Sequence, residues 1–392
     1  MNIGIDKIGF ATAQYMLNMD DLAESRDVDP DKYSKGLLLS NLSITPVNDD
    51  IVTLGASAAK SILSDQDKED IDMVIVATES SVDQSKAAAT WIHHLLGIQP
   101  FARSIEMKEA CYSATAALDY ARLHVQKHPE SKVLVIAADV ARYGANTPGE
   151  PTQGAGSIAM LISKDPRIML LNDNSVAQTR DIMDFWRPNY STTPFVNGIY
   201  STKQYLSMLK TTWEEFQKRF ETSLADFSAF CFHLPFPKLA LKGFNKVMDK
   251  NLPEELQAKL KDNFEKSILY SKQVGNMYTG SLYLGLLSLL ENSENLAAGD
   301  NIALFSYGSG AVAEIFTGTL VEGFKDMLQT SRLESLKNRI KLSVEEYEKL
   351  FFEEVEVDSE GNATVADYKT GAFALKEIRE HQRIYGEVND NK

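Results

Sequence analysis

Two continuous apolar runs, "DMVIVATES" (72–80) and "SKVLVIAAD" (131–139), read as buried strands, because Val, Ile and Ala fill successive positions and leave no polar face. Between them, in "KEACYSATAALDYARLH" (108–124), the period changes. Ala114, Ala117, Leu118, Ala121 and Val125 recur at the spacing of one helical face, which predicts an amphipathic helix beginning close to Cys111. Strand–helix–strand order with such runs predicts an α/β sheet covered on both faces.

The chain also repeats itself. "PTQGAGSIAMLIS" (151–163) and "FSYGSGAVAEIFT" (305–317) both read hydroxyl, polar, Gly-small-Gly, then an alternating apolar strand, 154 residues apart. The same offset carries "DMVIVATES" onto "DFSAFCFHL" (226–234) and Glu79 onto His233. A looser pair, "CYSATAAL" (111–118) and "MYTGSLYL" (277–284), is offset by 166 residues. Ordered matches of this kind imply a duplication, with paired sites meeting where the halves face each other; the period is far too long for a solenoid.

Two regions lie outside the echo. Residues 165–225 mix loop signals with helical stretches and read as a connecting insertion over the site. Residues 318–392 are highly charged and read as a surface appendage, with "SVEEYEKLFFEEVEVDSEGNATVADY" as helix, strand, turn and strand. The last few residues are expected to be disordered.

Composition narrows the function. At 392 residues the chain holds two domains or one domain of two halves. Its net charge of −15 argues against nucleic acid or an anionic membrane as partner, and an anionic ligand would need a local basic patch. Two cysteines, Cys111 and Cys231, build no disulfide framework, so a reducing cytoplasm is the expected setting. No apolar stretch approaches the roughly 20 residues of a membrane span, and the N-terminal run, interrupted by an acidic residue and glycine, does not read as an export signal.

Superposing the halves brings Glu79, Cys111, His233 and Asn276 together at the ends of equivalent elements. A cysteine at a helix N-terminus feels the positive end of the dipole, which favours thiolate, and can accept an acyl group from a thioester. His233 can hydrogen-bond a carbonyl oxygen or lower the thiol pKa, and Asn276 can donate to the same oxygen. Glu79, at the end of an apolar strand, is placed for a raised pKa and acid–base work. Each also has a plainer explanation: a small cap residue, a satisfied core imidazole, an N-cap, a solvated strand end. Their occurrence at duplicated positions favours a site. Lys238 and Lys242, four apart beside His233, suit a phosphate or a solvated helix face equally. Cys231 reads as core. No P-loop, dinucleotide fingerprint or zinc spacing is present.

At these residues the chain resembles the 3-hydroxy-3-methylglutaryl-CoA (HMG-CoA) synthases, condensing enzymes of the thiolase-fold superfamily. "ATESSVDQSKA", "EACYSATAAL", "MDFWRPN", "HLPFPKLALKG", "GNMYTGSLYLGL" and "FSYGSGAVAE" carry the resemblance, with the tail stretches "LSVEEYEKL" and "IREHQRIYGE". It implies a five-layered α/β fold of two duplicated βαβαβ-type halves (1–164 and 226–317), the connecting region 165–225, and an α+β appendage (318–392). It implies a cytoplasmic homodimer that joins acetyl-CoA to acetoacetyl-CoA through an acetyl-cysteine, with no metal or further cofactor. Glu79, Cys111 and His233 would be catalytic. Asn276, and Ser306 with the backbone that follows it, would support the carbonyl or thioester, and Tyr143 and Asp184 would line the acetyl pocket. Asp29, Thr152, Ser201, Lys238 and Lys242 would contact CoA or the pantetheine arm. The stretch from Tyr143 to Thr152 is one residue longer than in animal forms, so no contact is carried to Asn146.

Three rivals are weighed. An initiating β-ketoacyl-carrier-protein synthase would share Cys111, His233 and Asn276, but Glu79, "NMYTG" and the acidic charge argue against it. A biosynthetic thiolase would need a late second cysteine, and none follows Cys231. A non-catalytic acyl-CoA-binding scaffold would not need the intact set.

Overall fold

Nine strands form one mixed sheet: β1 (Ile3–Ala11), β2 (Ile71–Ala77), β3 (Arg103–Met107), β4 (Lys132–Ala141), β5 (Gly154–Lys164), β6 (Met169–Thr179), β7 (Ala229–Phe232), β8 (Asn301–Gly308) and β9 (Val312–Leu320). Their spatial order is β7-β8-β9-β6-β1-β5-β4-β2-β3. The computed structural model describes residues 1–388; the disorder expected of the last few residues falls outside the described residues.

The pairing repeats. In the first half β2 runs parallel to β4, β4 antiparallel to β5, and β5 antiparallel to β1. In the second, β7 runs parallel to β8, β8 antiparallel to β9, and β9 antiparallel to β6. The halves join where β1 and β6 pair antiparallel at Gly4 with Leu170 and Ile5 with Met169. Residues 169–179, which the sequence pattern leaves in the connecting region, are thus the second half's counterpart of β1.

Among the described residues the layers are completed by α1 (Ile51–Lys60), α2 (Ala88–Leu96), α3 (Ser113–Lys127), α4 (Gly198–Phe220), α5 (Pro237–Val247) and α6 (Ser281–Asn292), with the helix Glu254–Ser267 packing Leu260 and Phe264 beside α5. Alternation along each strand decides which helix it meets. Ile75, Val133 and Val135 point inward with Cys231, Ile302 and Leu304, and enclose α3 and α6 as a middle layer. Val74, Val76, Leu134 and Ile136 point outward to α1 and α2. Phe230, Phe232 and Phe305 point outward to α4 and α5. Helices, one half of the sheet, helices, the other half of the sheet and helices make five layers. The middle position explains why Leu282 to Leu290 of α6 are buried on every side, and why α3 carries Ala114, Ala117 and Ala121, small enough for close packing.

The C-terminal region packs into the body. Ile340–Leu342 adds a parallel strand to Tyr15–Asn18, itself paired with Asn41–Ile44. Helix α7 (Val344–Phe352) follows. Residues 354–358, expected as a strand, lie in none, whereas Ala363–Thr364 pairs with the unexpected hairpin Phe373–Arg379/Gln382–Glu387. Phe373 is buried in the α1–α2 layer.

The Gly-x-Gly segments back the opposite half's turn. A Cβ on Gly154 would lie 2.6 Å from the Asn276 nitrogen and 2.5 Å from its carbonyl oxygen. A Cβ on Gly308 would lie 2.7 Å from the Glu109 carbonyl oxygen and the Tyr112 nitrogen, on either side of Cys111. Neither backbone has room for a side chain. Gly154→Ala should therefore cost about 1–3 kcal/mol through overpacking, read as a lower midpoint of thermal unfolding. An unchanged midpoint would refute the close-approach argument.

Candidate active site

Cys111 follows Ala110, whose φ of +42° turns the chain sharply, and stands two residues before α3. It lines a cavity of about 580 Å³ together with Tyr143, Thr152, Phe185, Ser201, His233, Asn276, Tyr278, Tyr307 and Ser309. Its thiol donates a hydrogen bond to Glu79 Oε1 at 3.0 Å. Glu79 lies just beyond β2. Its N–H donates to Asp139 Oδ1 at 2.9 Å, and its carbonyl oxygen accepts from Arg187. Burial and the neighbouring Asp139 push the Glu79 carboxyl up to about 8.

The thiolate expected at a helix end is not what this environment favours. Burial, then the charges of Glu79, Asp139 and Asp184, hold the Cys111 thiol well above its ordinary value, outweighing the helix dipole. The resting nucleophile is a neutral thiol hydrogen-bonded to the Glu79 carboxyl. His233 does not supply a compensating cation either, since burial pushes its imidazole down to about 3. It is neutral, with Nδ1 buried and free of a protein partner, and so suits hydrogen bonding to a bound oxygen. Its carbonyl is held by the Tyr205 hydroxyl at 2.9 Å.

Asn276 is oriented from both sides. Its Oδ1 accepts from the Tyr278 N–H at 2.9 Å and the Ser281 hydroxyl at 3.0 Å, which leaves its amide N–H groups for other partners. One reaches the Tyr143 hydroxyl at 3.3 Å. Tyr143, Phe185 and Tyr278 form a mutual aromatic cluster with ring centroids 5.8–6.0 Å apart. Asp184 is buried behind the cavity, accepting from the Tyr307 hydroxyl at 2.6 Å, the Gly310 N–H at 3.0 Å and the Ser201 hydroxyl at 3.4 Å.

Other expected residues fall elsewhere. Ser306 is buried off the cavity, accepting from Thr115 Oγ1 at 2.7 Å; Ser309, three residues on, lines it instead. The inward register of β8 buries Ser306, and the turn after Gly308 brings Ser309 to the surface of the cavity. Thr152 lines the cavity, its hydroxyl turned to the Gly149 carbonyl at 2.9 Å. Lys238 and Lys242 lie on the first turns of α5, half-buried and exposed, while Phe236 and Leu239 line the wall beside them. Asp29 is exposed, its carboxylate capping the Asp31 N–H at 2.9 Å. Sequence reasoning missed Phe185, Tyr278, Tyr307, Ser309 and Asp139; the aromatic residues stand inside or beside the quoted motifs, which was the available signal. Among the described residues no group of three or more His, Cys, Asp or Glu side chains could hold a metal ion, and no helix is long and apolar enough to cross a membrane.

A thiol hydrogen-bonded to a raised-pKa carboxylate, with a neutral imidazole and an oriented amide beside it, on a twice-repeated thiolase-like fold, defines a cysteine-dependent condensing acyltransferase. Comparison with known proteins narrows the class. The hydroxymethylglutaryl-coenzyme A synthase N-terminal profile matches residues 1–167, and the C-terminal profile matches 171–259 and 244–387. A hydroxymethylglutaryl-CoA synthase of Enterococcus faecalis is 52% identical over 360 residues, covering 91% of this chain and 94% of that one. A crystal structure of an HMG-CoA synthase complexed with CoA is 74% identical, with TM-score 0.98, over 99% of this chain and 100% of that one. The MvaS protein in complex with 3-hydroxy-3-methylglutaryl coenzyme A is 32% identical with TM-score 0.88, over 99% of each chain. The chain belongs to the hydroxymethylglutaryl-CoA synthase family.

The Glu79 environment has a measurable consequence for stability. A carboxyl at about 8 in the folded state, against an ordinary 4.5, leaves the unfolded chain the first to release its proton, so this group's contribution weakens as pH rises through that window. Glu79→Gln removes the effect. Its thermal midpoint should gain on the parent progressively from about pH 4.5 to 8 and level off above; a difference that stays flat would contradict the raised pKa.

Proposed function

We propose that this enzyme condenses acetyl-CoA with acetoacetyl-CoA and water to give HMG-CoA and CoA, the step that commits acetyl units to mevalonate. The observation that carries the reading is the hydrogen bond from Cys111, which lines one cavity with His233 and Asn276, to Glu79. Crystal structures of family members holding CoA and HMG-CoA support it.

Cys111 Sγ bonds to the acetyl carbonyl carbon of acetyl-CoA, the carbon–sulfur bond to CoA breaks, and CoA leaves as the thiol, carrying the Cys111 proton. Glu79, ionised, then takes a proton from the methyl group of the acetyl-cysteine. The enolate carbon bonds to C3 of acetoacetyl-CoA. The neutral ring N–H of His233 and the free N–H of Asn276 donate to the C3 oxygen as its charge develops. Protonated Glu79 returns its proton to that oxygen. Water hydrolyses the remaining Cys111 thioester, leaving a carboxyl group on the product and restoring the thiol. A carboxyl with a pKa near neutrality can both take and return a proton.

The same reading makes the enzyme a cytoplasmic homodimer. β3 ends the sheet with one unpaired edge, and Phe101 beside it is 90% exposed, the kind of edge a second copy covers.

Mass spectrometry of the CoA esters and of the protein after mixing with both substrates tests the chemistry. The parent should form HMG-CoA with equimolar CoA. Glu79→Gln should still acetylate Cys111, because exchange between two thiols makes and breaks the same kind of bond. Its condensation should fall about 10²–10⁴-fold. Cys111→Ala should lose both steps. Equal loss of both half-reactions in Glu79→Gln would sink its role, and untouched acetoacetyl-CoA beside acetylated Cys111 would point to carrier-protein substrates.

A further inference from the structure

Gln153 stands where three parts of the chain cross. Its backbone carbonyl accepts from the Asn276 N–H at 3.1 Å, and its side-chain Oε1 accepts from the Tyr143 N–H at 2.9 Å. Its Nε2 donates to the Tyr347 hydroxyl at 2.9 Å. Tyr347 belongs to α7, in the C-terminal region, and its hydroxyl donates to Glu150 Oε1 at 3.2 Å. Glu150 is clamped by Arg26 through Nε at 2.9 Å and Nη2 at 2.8 Å, and accepts the Asn146 N–H at 3.0 Å. Glu150, Gln153 and Tyr347 are only 2%, 3% and 1% exposed, yet none of them lines the cavity.

We propose that Tyr347, acting through Gln153, is a positioning residue for the condensation, and that α7 thereby contributes to the active site without touching substrate. Tyr143 and Asn276 are bonded to each other across the cavity, and both hang from Gln153, one by its side chain and one by its backbone. Rotation of the Gln153 amide moves Tyr143, and displacement of its carbonyl moves Asn276. The Tyr347 hydroxyl fixes that amide, because it accepts from Nε2 and so decides which end of the side chain faces Tyr143. Glu150 and Arg26 fix the hydroxyl in turn. The relay joins Arg26, at the end of the short helix Met19–Ser25, to α7 and the 143–153 loop, whose residues Thr147, Pro148 and Gly149 also wall the cavity. Misplacement of a reacting group by a fraction of an ångström to one ångström is enough to depress turnover.

The inference rests on the condensation reading, and the experiment separates the two. HMG-CoA formation is measured for the parent, Tyr347→Phe, Gln153→Met and the double variant, with thermal midpoints for each. Tyr347→Phe keeps the ring that packs on Phe351 and should lower kcat about 10- to 100-fold. It should leave the KM for acetoacetyl-CoA within about threefold and nearly all the protein folded at assay temperature. Because both residues act on one path, the double variant should be no slower than Gln153→Met alone. Glu348→Gln, which loses only the outer ion pair to Arg26, should stay near parental kcat. From an active parent, a parental kcat in Tyr347→Phe, an equal fall in Glu348→Gln, or additive losses in the double variant would each overturn the positioning role alone. A parent that forms no HMG-CoA would overturn the condensation reading and this inference with it.

Discussion

One buried carboxylate holds the two halves together at their reacting end. Asp139, at the C-terminal end of β4, accepts from Thr78 Oγ1, the Glu79 N–H and Ser80 Oγ on the first half. Its second oxygen accepts the N–H and the hydroxyl of Thr279, at the start of the second half's helix. Donors this deep have no water to turn to, so the interaction is far costlier to lose than its net worth when made. The same charge is among those that lift the Glu79 pKa. Joining the halves and tuning the base are therefore one physical fact, and neither could change without the other.

The electrostatics of the cavity follow from that arrangement. Glu79, Asp139 and Asp184 surround a thiol and an imidazole that burial keeps neutral. Chemistry there proceeds from a neutral thiol, a neutral imidazole and a carboxyl raised to about 8, without a preformed thiolate–imidazolium pair. Such a site is unfavourable in the folded state, and the three hydrophobic layers around α3 and α6, α1 and α2, and α4 and α5 offset it.

Much of this is legible along the chain because burial on both faces writes itself as Val/Ile/Ala runs: β2 and β4 stand within three residues of their expected places. The duplication was legible for the opposite reason, since close backbone approach tolerates only glycine, and Gly154 and Gly308 each press on the other half's turn. β6 escaped notice because its polar residues are bound within the sheet. Asn172 and Asn174 bond to Thr317 and Thr319 across to β9, and only Met169 and Val176 of the strand are buried, so a central strand reads like a loop. The state of the Cys111 thiol was not legible at all. It depends first on burial and on Glu79, with Asp139 and Asp184, remote in sequence, adding to them, and together these outweigh the local helix dipole. The place of Ser306 in the repeat says which half it belongs to, while the strand register turns its side chain to Thr115 and leaves Ser309 to line the cavity.

The backing of Cys111 by Gly308 also sets a timetable. The turn that carries the nucleophile is completed by residues some 200 positions later, as in the Tyr112–Glu314 hydrogen bond with a separation of 202. During synthesis the first half can collapse on its own strands, but the wall behind its cysteine arrives only when β8 and β9 have left the ribosome. Acyl-transfer competence is thus among the last properties the chain acquires, and the thiol gains its wall and its substrate cavity together.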